Sequence, residues 1–525
     1  MVASPHYLAS LAGVRILQSG GNAVDAAIAV SSVLAVVYPH NTTIGGDAFA
    51  LVYSSKNGEL KGINASGRSA YAAELSYFRD AGLDRIPLFG MLPVTVPGLV
   101  DGWSTMLERY GTKSLAEILR QAIDYARNGF PVSEKLCFHI KEKTPLLSQV
   151  PSTRSVFLPQ GRAPEQYEIF QQKNLSDTLE LIAKEGCSEF YKGKIAKSIV
   201  EFSKQNGGLL SERDFAEHKT TIVDPVSVDY RGNKVAAFPP NSQGMTTLIA
   251  LNILEQFDLR SLGQSSASLI DLIVQAKKMA FKDRDDYITD PETSRIPVEQ
   301  LLSKEHSLEN TEKIKNDDRK NGLISDQKSN LRNSGDTCYF SVVDKFGNAV
   351  SFIQSIYFGF GSGVVAGDTG ILLQNRGAYF SLEPSHPNVI APHKRTMHTL
   401  APAMMFRGDI PVLVFGTMGG DGQPQTQLQL ITDIVDFGMG VQEAIESPRW
   451  LHGRAMIGDA PDALNMEEGF REETCSGLKE MGHNVVIRER WDEIFGHAQA
   501  IMIDPKTKVL SGGADPRGDG LAVGY

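Results

Sequence analysis

The sequence predicts a layered protein of mixed helix and strand. Three observations carry that expectation. Helix-like and strand-like segments are interspersed along the whole length. One segment, AAIAVSSVLAVVY at 26–38, is apolar on nearly every face and must be enclosed by other elements. No period recurs, which sets aside solenoids and propellers. With 525 residues, 42% apolar and 22% charged, the chain can bury a large core in more than one lobe.

The elements follow in order. Residues 6–19 read as a helix stopped by Gly20-Gly21, and Asn22 caps a second helix from Ala23 with Asp25 in its first turn. HNTTIGGDAFALVYSSKNGELKGINASG reads as a glycine turn followed by a hairpin with KNGE at its tip. Residues 98–128 are helical with a break at Tyr110-Gly111, and 172–205 form an amphipathic helical stretch. Residues 303–336 are rich in charge, Asn and Ser; part reads as helix, but the end reads as a solvated loop, and the segment is the best boundary in the chain. Strands are expected at 337–344, 348–355, 412–417 and 498–503, and helices at about 423–437 and 468–481.

Several function classes lose support. The net charge of −10, without a basic block carrying aromatics, argues against nucleic acid. The four cysteines are scattered, with no CxxC, and fit a reducing compartment. The start, MVASPHYLASLAG, lacks the pattern of a signal peptide, and 26–38 is too short to span a bilayer, so a cytoplasmic protein is expected. GxSxG, HExxH and GxxxxGK[ST] are missing, GFGSG at 359–363 reads as a loop, and no histidines pair at ligand spacing. Neither metal nor cofactor is expected.

The stretch NSGDTCYFSVVDKFGNAVSF (333–352) reads as a hairpin entered from the polar loop, its first strand opening on Thr337. A threonine hydroxyl is a weak nucleophile and needs a base. An N-terminal threonine carries one, its own α-amine, with a pKa near neutrality. Thr337 is internal, so this chemistry requires cleavage of the Asp336–Thr337 bond. On the local stretch alone, a threonine opening an ordinary hairpin is the simpler account.

The rest of the chain reverses that preference. Residues 16–53, LPVTVPGLVDGW (92–103) and LERYGTKSLAEIL (107–119) resemble the N-terminal part of the γ-glutamyltranspeptidase family. TCYFSVVDKFGNAVSF, GSGVVAGDTGILLQN (361–375), KRTMHTLAPAM (394–404), GTMGGDGQPQT (416–426) and ADPRGDGLAVGY resemble its C-terminal part, in order. The resemblance implies an N-terminal-nucleophile hydrolase with a four-layer αββα sandwich. It implies a precursor that cuts itself into a large fragment, 1–336, and a small one, 337–525, which together form one unit. Thr337 becomes the nucleophile, Ser355 the second hydroxyl beside it, and Gly419 and Gly420 the backbone donors of the oxyanion hole. A glycine pair suits that role, because it lets the backbone approach closely; a plain strand-to-helix turn is the alternative. The expected partner is a small-molecule amide, with a homodimer left open.

The departures from the family fall in the substrate pocket. Tyr357 stands where the family has an Asn, and Arg376 and Tyr379 stand where it has a Gln and an Asp. The acid that would pair a glutamyl ammonium is gone, and a guanidinium has arrived. His398 and Thr399 stand at two carboxylate-binding serines; both can donate. The family's carboxylate-binding Arg falls on Ser66, with Arg68 two residues on, either reaching the site or lying on a solvated hairpin edge. FSLEPSHPNVIAPHKR (380–395) is short where many members carry a lid, which implies an open, wet cleft and hydrolysis over transfer. The pocket resembles a side branch that includes oxamate amidohydrolases, with Arg376 binding a substrate carboxylate or, alternatively, making a structural ion pair. Cys338, next to the nucleophile, reads as a small buried residue.

Two classes of function follow. One is a self-cleaving threonine amidohydrolase acting on a γ-glutamyl amide or on a small carboxylate amide such as oxamate. The other is an uncut binding protein on the same fold.

Overall fold

The computed structural model describes residues 1–316, 336–455 and 458–525. Two antiparallel sheets lie at its centre. The first orders its strands Leu521–Val523, Val2–Ser4, Asp336–Val343, Ala349–Tyr357, Asp47–Ser54, Glu59–Ala65 and Thr221–Val223. The second orders Leu510–Ala514, Ala498–Ile503, Ile410–Thr417, Ala403–Arg407, Asn233–Ala237 and Val226–Tyr230. Strands from either side of the 336–337 bond contribute to both sheets and interleave in the first.

Side-chain alternation explains the layers. Phe49, Leu51, Tyr339, Val343, Ile353, Met404, Val414 and Ile501 pack together between the sheets. Their strand neighbours Cys338, Phe340, Val342, Ala50 and Val52 face the other way, onto helices that include Tyr7–Gln18, Ala23–Val37 and Leu115–Asn128. On the far side, Leu413, Phe415 and Ala500 pack under Gly244–Leu254, Ala267–Tyr287 and Gly422–Val435. The result is the four-layer αββα sandwich. Ala23–Val37 is buried at every position and carries the expected Asn22 cap, which Asp25 completes as a capping box.

Three details go beyond the sequence reading. The 172–205 stretch is three helices, Lys173–Glu185, Ser188–Lys192 and Lys194–Gln205, broken at Gly186 and Gly193. The 303–336 segment begins as a helix, Lys304–Lys315, capped by Ser303; most of the expected loop, 317–335, lies outside the described residues. Short strands such as Val2–Ser4 and Leu521–Val523 were not expected, because three-residue segments carry no readable period.

Candidate active site

Strand register builds the site. Thr337 pairs directly with Ser355 across the hairpin, and period-two alternation turns Thr337 to the same face as Tyr339, between the sheets. Opposite it runs Ile410–Thr417, which approaches so closely at Gly416 that a Cβ there would lie 2.4 Å from the Tyr339 ring. That strand ends in the turn Met418-Gly419-Gly420, and Gly422–Val435 follows.

Ser355 is the hub. Thr337 Oγ1 donates to Ser355 Oγ at 3.1 Å. The Ser355 hydroxyl donates to the Asp336 carbonyl at 2.7 Å, the carbonyl of the bond expected to break. The backbone N–H of Tyr357 (2.8 Å) and Nη2 of Arg376 (3.3 Å) also donate to Ser355 Oγ. A bulge between Ser355 and Tyr357 makes this possible, and Tyr357 holds φ +78° within it. Thr337 is 1% exposed. Burial pushes the Asp336 carboxyl up to about 6, with His139 pulling the other way.

Arg376 is fully buried. Its Nη1 donates to Thr399 Oγ1 at 3.1 Å, and its guanidinium lies 4.5 Å from the centre of the Tyr357 ring. Nε has no partner, and among the described residues no carboxylate pairs with this side chain. Burial lowers its pKa to about 10. A structural ion pair for Arg376 is therefore not what the described residues form. Tyr379 stacks edge-on to Tyr357 and donates to Asp421 at 3.5 Å; burial raises its phenol pKa.

The glycine pair has the conformation that only glycine adopts easily, φ +119° at Gly419 and +53° at Gly420. Their carbonyls accept from Gly422 N and Gln423 N, while among the described residues no acceptor takes the N–H of either glycine. Two unengaged donors on a turn beside the nucleophile strand are what a developing oxyanion requires.

Three expectations change. Arg68 is held by Asp290 (3.3 Å) and Glu292 (2.7 Å), so its charge is engaged away from the threonine and its neighbours. His398 is not a spare donor. Leu400 N donates to Nδ1, which leaves the proton on Nε2 to bond Asp47 at 3.2 Å. Burial, reinforced by Arg376, lowers the imidazole to about 3, so it is neutral. The expected open cleft is not seen among the described residues: Thr337, Tyr357, Arg376 and Thr399 are all buried. The openness argument for hydrolysis over transfer falls with it.

Sequence reasoning also missed residues. Asp47 is fully buried and gathers Gly67 N, Gly98 N, Gln374 Nε2 and His398 Nε2. An acid opening the apolar strand DAFALVY was the available signal, since a buried carboxylate must be satisfied. Asp421, directly after the glycines, pairs with buried Arg284 at 2.8 Å. Gln243, in NSQG, gave no signal.

The chain resembles known proteins along nearly its whole length. A family model described as Gamma-glutamyltranspeptidase matches residues 9–525. The chain is 47% identical to the glutathione hydrolase-like YwrD proenzyme of Bacillus subtilis, covering 100% of this chain and 98% of that one. It is 38% identical to the oxamate amidohydrolase proenzyme of Klebsiella pneumoniae, again covering 100% and 98%. The crystal structure of a cephalosporin acylase from Bacillus halodurans superposes with a TM-score of 0.91 at 36% identity, covering 100% of this chain and 95% of that one.

Proposed function

The chain belongs to the γ-glutamyltranspeptidase family of amidohydrolases, and from that premise we propose that it cuts itself before Thr337 and then hydrolyses a small amide that carries a carboxylate. In the first step Thr337 Oγ1 attacks the Asp336 carbonyl carbon, and the Ser355 hydroxyl polarises that carbonyl. The C–N bond breaks, an ester forms on Oγ1, and water releases it. The α-amine of Thr337 is then free and serves as the base. In turnover, Oγ1 passes its proton to that amine and attacks the amide carbonyl. The N–H groups of Gly419 and Gly420 receive the oxyanion, the leaving amine takes the proton, and water releases the acid.

The observation that carries the substrate class is the buried guanidinium of Arg376, without a carboxylate partner and one hydroxyl away from Thr337. A substrate carboxylate would supply that partner, with Thr399 Oγ1 beside it. The second reading, a γ-glutamyl amide, is favoured by the name of the 47% identical relative. It must place an ammonium near Arg376, which at 4 Å costs about 4 kcal/mol at an effective dielectric near 20. Asp47 and Asp421, the acids nearby, are already engaged. The reading keeps a reducing compartment, in line with four unpaired thiols, and leaves a homodimer open. Among the described residues no helix is long and apolar enough to cross a membrane.

Oxamate and γ-glutamyl-p-nitroanilide, offered side by side to the cut enzyme, test the proposal. Preference for oxamate is expected; turnover of the anilide alone would refute oxamate-type acids as the substrate class and favour a γ-glutamyl amide.

A further inference from the structure

Gln243 is fully buried just ahead of the helix Gly244–Leu254. Its Nε2 donates to carbonyls of two separate segments, Thr399 at 2.7 Å and Gly420 at 2.9 Å. Its Oε1 accepts from Arg284 Nη1 at 2.9 Å, and the same nitrogen holds Asp421 at 2.8 Å. One amide therefore touches the glycine turn directly, grips the next residue through Arg284, and anchors the residue whose hydroxyl receives Arg376.

Such a clamp answers a physical need. Two consecutive glycines at positive φ have many accessible conformations and no side chains to limit them. An oxyanion hole works only when its donors stay aimed within a few tenths of an ångström. The turn's own bonds, Gly422 N to Gly419 O and Gln423 N to Gly420 O, fix its curvature. They do not fix where the turn itself stands relative to the Arg376 side of the site. Gln243 bonds both directly, while Gln423 and Gln427 hold Ala401 from the helix that follows the turn.

We propose that Gln243 is a positioning residue for turnover. Its amide sets the distance between the Gly419–Gly420 N–H pair and the Arg376–Thr399 pair, and so the length of acyl group that spans from scissile carbonyl to charge. The inference rests on the roles given above to Thr337, Gly419, Gly420 and Arg376. It also separates the two reactions of the chain. The Asp336 carbonyl is already held by Ser355, so self-cleavage does not draw on the clamped glycines, whereas every later turnover does.

The test compares Gln243→Met and Gln243→Glu with the parent. Both keep the volume; the glutamate also keeps an acceptor for Arg284, and it exchanges the amide donors for a carboxyl group. Cleavage is read by intact mass, folding by Tm, and turnover with oxamate and with p-nitrophenyl acetate, an ester that needs no charge recognition. Both variants should be cut as completely as the parent, keep a similar Tm, and lose about 30-fold or more of kcat on the ester, on the scale of a misaimed oxyanion donor. KM for oxamate should rise as well, because the anchor of Thr399 is lost. Parental kcat in either cut variant would overturn the proposal. So would loss of cutting together with turnover in both, which would mean a purely structural role. If the methionine variant does not fold, the glutamate variant decides. A parent that is never cut would instead overturn the reading of Thr337 on which the proposal stands.

Discussion

Replacing Arg376 with methionine removes a charge and keeps most of the volume. The guanidinium is 0% exposed and sits among buried Tyr357, Thr399 and Ser355, so a carboxylate bound there is shielded from water. Removing one partner of a buried pair leaves the other charge uncompensated, at a cost of about 3–5 kcal/mol. At about 1.4 kcal/mol per tenfold, kcat/KM for oxamate should fall between about 10²- and 10⁴-fold. Arg376 also touches Ser355, so part of any loss could come from the nucleophile side. Oxamide, the neutral analogue of the same shape, isolates the charge. Ammonia release from both compounds by the cut enzyme gives the ratio. Arg376→Met should lose oxamate turnover by at least about 100-fold more than oxamide turnover. An equal loss on both, or no loss on oxamate, would refute a carboxylate at Arg376.

Other perturbations separate the remaining roles. Gly419→Ala forces a Cβ onto φ +119°, with strain of about 1–3 kcal/mol; it should cut normally but lose about 100-fold or more in kcat, and unchanged kcat would remove Gly419 from the oxyanion hole. Arg68→Met should lower Tm, since buried Asp290 loses its partner, while the oxamate-to-oxamide ratio stays parental; a collapse of that ratio would return Arg68 to the pocket. His398 is held neutral in the fold, with its pKa depressed from the usual histidine range to about 3. Its contribution is complete above about pH 6.5 and is lost as pH falls toward 3, with a slope of up to about 1.4 kcal/mol per pH unit. His398→Gln should therefore flatten the fall in stability between pH 6.5 and 4, read by denaturant unfolding at each pH, and an unchanged slope would contradict the buried neutral imidazole.

Much of this site is readable without coordinates, but through the family resemblance rather than through local rules. The hairpin itself is legible, and its register sets Thr337 opposite Ser355, yet the local stretch alone favours an ordinary hairpin. Gly419 and Gly420 are legible as a turn between strand and helix, and only the resemblance makes them donors. Residues whose roles depend on long-range partners are not readable. Arg68 and Arg376 look alike in sequence, yet one meets Asp290 and Glu292, from more than 200 positions away, and the other, among the described residues, meets hydroxyls and a ring. His398 looks like a spare donor until Asp47 arrives from 351 positions away. The short 380–395 segment suggested an open cleft, yet Thr337, Arg376 and Thr399 are buried; the length of one segment says nothing about how the others pack over the site.

The central claim is that Thr337 becomes an N-terminus, and the intact mass of the purified chain under denaturing conditions tests it most directly. The account predicts two species, 1–336 and 337–525, whose masses sum to the 57.3 kDa chain plus one water. A single uncut chain that nevertheless hydrolyses oxamate would contradict it, because Thr337 would then have no amine to act as its base.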